Sequence, residues 1–143
     1  MRHRLSWFAL ALVASASIGC GSSYQFAPVE GTVRLDGKPL AGVEVHFAPM
    51  TPDLDSQSPP YSRDLTDDDG HFVLKSRNER AGAVVGSYAV MVRPPSLRPE
   101  PGVPRPKTPL VPAVYRSLAT TPLRIEVKVD QKVYDLDLKS KAK

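Results

Sequence analysis

The chain has 143 residues, a formal charge of +4 and one cysteine, a length that suits a single domain. One thiol excludes an internal disulfide framework. Without a leader that carries Arg2 and Arg4, 17 basic residues face 15 acidic ones, too even a balance for the dense basic patch of a nucleic-acid binder, so no nucleic-acid partner is expected.

The chain opens on MRHR, then the uncharged stretch LSWFALALVASA, then Ser17, Ile18, Gly19 and Cys20. A basic start, an apolar middle and small residues at the end form the grammar of a secretory signal. Leu5 to Gly19 is 15 residues, short of the about 20 that a spanning helix needs. Ile18-Gly19-Cys20 resembles the cleavage motif of bacterial lipoprotein signal peptides, although Ser17 stands where an aliphatic residue is usual. The resemblance implies a signal peptide over 1–19, cleavage before Cys20, diacylglycerol on its sulfur and often an acyl group on the new amine. Two or more acyl chains make a firm anchor, at about 0.8 kcal/mol per buried methylene. Gly21, rather than Asp, follows the cysteine, which resembles the pattern forwarded to the outer membrane in Gram-negative cells.

Residues 20–27 read as a tether, and a β-rich domain is expected over 28–138. VEGTVRL alternates, with Val29, Gly31, Val33 and Leu35 on one face, the period of a half-buried strand. Asp36-Gly37 is a turn signal, with Pro39 ending the pairing. VEVHF turns Val43, Val45 and Phe47 inward and Glu44 and His46 outward. Residues 49–60 have no periodicity and read as a loop. YSRDLT is a short strand, DDDG a turn, and HFVLKS alternates with Phe72 and Leu74 inward. RNERAGAVVG is a connection, and SYAVMV is a strand with Tyr88, Val90 and Val92 on one face.

Eight of the 15 prolines fall between Pro94 and Pro112. Proline lacks an amide donor, so the insertion 94–112 cannot be an interior strand and reads as extended, polyproline-like chain. AVYRSLATT is a return segment with one helical turn. PLRIEVKV points Leu123, Ile125, Val127 and Val129 inward, and VYDLDL does the same with Tyr134, Leu136 and Leu138. The tail 139–143 is basic. About seven short strands with turn chemistry between them give an all-β expectation, a single β-sandwich.

VEGTVRLDGKPLAGVEVHFAP, TDDDGHFVL and GSYAVMV, together spanning Val29 to Val92, resemble the carboxypeptidase regulatory-like domain, a transthyretin-like sandwich. That family runs from a G-x-V strand through a D-G-x-P-L-x-G turn to a V-x-V-x-F strand, then a T-D-x-x-G-x-F hairpin and a G-x-Y strand. Val85 stands where a proline is common before the glycine, and 94–112 is longer than the family's pattern.

Catalytic and metal chemistry find little footing. Asp64, Asp67, Asp68 and Asp69 suggest calcium, but an EF-hand with Gly70 sixth would need Asp at Leu65 and Glu at Ser76. The acidic run reads as a turn. His46 and His71 sit on outward faces and lack a third ligand or a thiol. No G-x-S-x-G elbow exists. The transthyretin-like hydroxyisourate hydrolases carry a Tyr-Arg-Gly-Ser C-terminal signature, whereas this chain ends DLKSKAK. Arg93, Arg98, Arg105 and Lys107 against Glu100 give the proline segment a local +3, read as a charge-solubilised loop.

The expectation is therefore a lipid-anchored structural or interaction module of the cell envelope, not an enzyme and without cofactor or metal. Its expected location is the outer membrane, facing the periplasm or exterior. The partners are the membrane, through lipid on Cys20, and an unidentified envelope protein or glycan. Carbohydrate or peptidoglycan binding is the first alternative; with Trp7 in the leader, its exposed rings would be Tyr61 and Tyr115. A hydrolase with an unrecognised site at His46 or His71 is the second.

Overall fold

A computed structural model describes residues 24–50, 59–96 and 110–141. The leader, Cys20, the middle of the 49–60 loop and the proline segment from 97 to 109 lie outside the described residues. The fold is all-β, with eleven strands among the described residues: β1 (Phe26–Ala27), β2 (Glu30–Leu35), β3 (Lys38–Pro39), β4 (Glu44–Pro49), β5 (Ser62–Leu65), β6 (His71–Val73), β7 (Lys75–Ser76), β8 (Ala83–Val84), β9 (Gly86–Arg93), β10 (Arg124–Val127) and β11 (Leu136–Leu138). A 3-10 turn, Ala113–Arg116, follows the proline segment.

The large sheet has the order β10-β9-β4-β5-β7. A smaller sheet is centred on β2, which pairs in parallel with β11 and antiparallel with β3 and β6. β1 and β8 form a separate antiparallel pair. Of the four strands beyond the expected seven, β1, β3 and β8 are two-residue pairings, and the fourth has a local cause. HFVLKS does not stay in one sheet: β6 pairs with β2, and β7, one residue past Leu74, pairs with β5. Leu74 itself donates its N–H to Val29 O at 2.9 Å, and its carbonyl accepts from Gly82 N at 2.7 Å.

Inward residues of both sheets meet in one apolar cluster. Val45, Phe47, Tyr88, Val90 and Val92 come from the large sheet, with Val43 just before β4, and Val33, Phe72, Leu136 and Leu138 come from the smaller one. Burying each such side chain contributes about 1.5–3 kcal/mol. Phe47 packs on Phe72 and Tyr88 with ring centroids 6.4 and 5.8 Å away. Tyr88 is deep enough that burial pushes its phenol up to about 12, and its O–H donates to Val84 O at 2.7 Å.

Three local expectations are corrected. Phe26 and Ala27, which the sequence assigns to the tether, form β1, and Ala27 is buried; Arg80 lies 4.2 Å over the Phe26 ring. Val129 is 59% exposed, because β10 stops at Val127 and the alternation ends with the pairing. Tyr115 is buried, not an exposed ring: it belongs to the 3-10 turn and its hydroxyl accepts from Lys139 N at 3.0 Å. No helix among the described residues is long and apolar enough to cross a membrane.

Candidate functional site

Strand alternation places Glu44 and His46 of β4 on the outer face of the large sheet, as the sequence predicts. What covers them depends on register. Glu44 stands opposite Arg93 of β9 and Leu65 of β5, while His46 stands opposite Met91 and Arg63. Side chains directly or diagonally opposite are within reach across strands, so β4, lying between β5 and β9, gathers charge from both neighbours.

The Glu44 carboxylate is the hub. Arg93 Nε donates to its Oε2 at 3.1 Å, and Arg63 Nη1 donates to its Oε1 at 3.4 Å. His46 Nε2 lies 3.0 Å from the same Oε1, close enough for an ion pair once the imidazole is protonated, and the buried nitrogen has no hydrogen-bond partner among the described residues. The Tyr61 ring stacks near the imidazole, centroids 6.5 Å apart and 26° between planes. The side chains of Glu44 and His46 retain 13% and 12% of their exposure. The expectation of an open solvated face at His46 is thus corrected: Tyr61 and the two arginines shield it.

Burial pushes the Glu44 carboxyl up, but His46 and Arg93 together outweigh it and hold the group below the usual glutamate range. For His46, burial comes first and lowers the pKa; Arg93 and Arg63 add to this and Glu44 opposes it, leaving the imidazole below its ordinary value. At neutral pH the cluster is an ionised carboxylate, two guanidinium groups and a neutral imidazole, with one net positive charge. Two hollows flank it. One, of about 400 Å³, lies toward β7 and is lined by Arg63, Lys75 and Arg77 against Asp64 and Glu79. The other, of about 320 Å³, lies toward β9 and Leu118.

The acidic run behaves as the sequence analysis reads it. Asp67 Oδ1 accepts the N–H groups of Asp69 and His71 at 3.0 and 2.8 Å, closing the turn. Asp64 Oδ2 accepts from Val73 N at 2.7 Å. His71 is half-exposed, with Nδ1 3.9 Å from Asp67 Oδ2. Among the described residues no three His, Cys, Asp or Glu side chains converge as a metal site would require. Ser62 is buried and spends its hydroxyl on Gly82 O at 3.0 Å.

Cys20, the one residue singled out for modification, lies outside the described residues, as do Arg98, Glu100, Arg105 and Lys107. Arg93, grouped with them by sequence, belongs instead to the Glu44 cluster. That cluster carries no motif; its only sequence signal is the outward position of Glu44 and His46 on an otherwise apolar strand. Compared with protein-family models, with curated proteins and with solved structures, the chain finds no match.

Proposed function

We propose that this chain is a lipid-anchored module of the bacterial cell envelope that acts by contact rather than catalysis, on a transthyretin-like, carboxypeptidase regulatory-like sandwich. The observation that carries the reading is the leader: a basic start, an apolar stretch, and Ile18-Gly19 before the chain's one cysteine. An unpaired thiol in an exported protein calls for an explanation, and acylation of Cys20 supplies one. The sandwich reading is supported by two sheets that share one core and by the D-G turn of the family pattern, where Asp36 and Gly37 both take positive φ, 50° and 82°, in a two-residue hairpin.

A non-catalytic role is supported by how the polar groups are spent. Among the described residues, His46 faces a carboxylate and arginines with no serine in the cluster, and the buried hydroxyls of Ser62 and Thr66 are tied to backbone carbonyls. The glycan alternative loses one of its two rings, since Tyr115 is buried. The experiment is membrane fractionation with labelled palmitate and mass analysis of the mature N-terminus. The wild-type chain takes up label, resists extraction by high salt and is released by detergent; Cys20→Ser takes up none and partitions with soluble protein. A Cys20→Ser chain that stays equally membrane-bound overturns the reading.

A further inference from the structure

The hollow toward β9 has a divided lining. Ala48 and Met91 form its sheet side, and Tyr61 and Leu118 add apolar surface at its edges. Its polar groups are Arg63, Arg93 and His46; among the described residues no carboxylate and no amide or alcohol side chain other than the Tyr61 phenol lines it. Glu44 contacts three of the lining residues, His46, Arg63 and Arg93, with both oxygens engaged. Arg93 uses only Nε on Glu44, and among the described residues its terminal nitrogens donate to nothing else; Arg63 likewise commits Nη1 alone.

We propose that this hollow binds a small organic acid: a carboxylate held by Arg63 and Arg93, attached to an apolar or aromatic body seated between Tyr61, Met91 and Leu118. Guanidinium groups are suited to carboxylates because their planar N–H forks match the two oxygens. A volume of about 320 Å³ is at the small end of ligand sites, which are mostly apolar with a few placed polar groups. A sugar acid fits less well, since its hydroxyls would face methyl and thioether groups and lose their hydrogen bonds to water. The other hollow, lined by both acids and bases, lacks this one-sided charge. The inference deepens the contact role proposed above but does not depend on the anchor.

The test is calorimetric titration of the full chain with benzoate, benzamide and glucuronate, repeated on Arg63→Gln and Arg93→Gln. Benzoate is expected to bind with a Kd of about 1 mM or tighter, an ordinary yield for so few atoms. Benzamide and each arginine variant should weaken binding about tenfold or more, because the charge-assisted pair is lost. Both arginines donate to Glu44, but Arg63 does so over the longer distance, 3.4 Å against 3.1 Å, from a side chain that is 56% exposed, so Arg63→Gln is the variant expected to keep its fold. No benzoate binding, equal binding of benzamide, unchanged binding by Arg63→Gln, or glucuronate binding as tightly as benzoate would each overturn the proposal. Failure here leaves the palmitate labelling untouched, and an unlabelled Cys20 leaves the titration untouched, so the two readings fail separately.

Discussion

Glu44 and His46 tie the stability of the domain to pH in a direction that follows from their surroundings. In an unfolded chain His46 takes up a proton near pH 6.5, but in the folded chain burial, with Arg93 and Arg63, holds its pKa lower. Between those two values the unfolded state binds more protons, so stability falls as the pH drops below about 6.5. Glu44 works in the same sense further down: its stabilising contribution is complete above 4.5 and is lost as the pH falls through its lower folded value. Thermal unfolding followed from pH 7.5 to 4 should show Tm declining from about pH 6.5 and more steeply at the acid end. His46→Gln, which has no proton to gain, should flatten the upper part of that decline and leave the carboxylate part. An unchanged slope between pH 6.5 and 5 in the variant would mean that the imidazole is not held neutral by its neighbours.

At the scale of elements, the strands most legible in the sequence are those whose alternation is complete. β2, β4 and β9 have the inward residues that period two assigns, and Asp36-Gly37 makes the two-residue hairpin that its chemistry demands. The pieces that escaped are those set by distant partners. Nothing within HFVLKS says that its first half belongs to one sheet and its second half to the other, and nothing in Gln25 to Ala27 says that Ala83 and Val84 wait to pair with it. The cluster around Glu44 escaped for the same reason: outward placement is local, but Arg93 opposite Glu44 is a register between strands far apart in sequence. The parallel pairing of β2 with β11 is equally long-range, and it makes a prediction. A Cβ on Gly31 would collide with the carbonyl oxygen of Tyr134, two residues before β11, a backbone atom that cannot swing aside. Gly31→Ala should therefore part the two strands at a cost of about 1–3 kcal/mol. Gly37→Ala meets nothing within 4 Å and suffers only from its φ of +82°, a cost of about 1 kcal/mol. Urea midpoints should rank wild type above Gly37→Ala and Gly37→Ala above Gly31→Ala; the reverse order would mean that β11 does not lie against β2 as described.

For the whole molecule, the consequence of β1 is that the domain begins almost at the proposed anchor. From Cys20 to Phe26 the backbone can span at most about 20 Å, at roughly 3.5 Å per residue. A domain of this size has a radius of gyration of about 13 Å, so the β1–β8 end would be held within one domain diameter of the lipid surface. Val85 reports on that end, because its N–H donates to Gln25 O at 2.8 Å and its side chain is 37% exposed. With the Cys20 sulfur acylated, Val85→Cys provides the one thiol for a donor dye, and energy transfer to a lipid-borne acceptor measures its height. Transfer should be strong with the native tether. A 20-residue Gly-Ser insertion after Gly21 adds a mean reach of about 25 Å and should weaken transfer while leaving the protein in the membrane fraction. Equal transfer with and without the insertion would mean that the short tether does not set the height of the domain. Labelling of two thiols instead of one would show a free Cys20, and with it no lipid to hold the domain there.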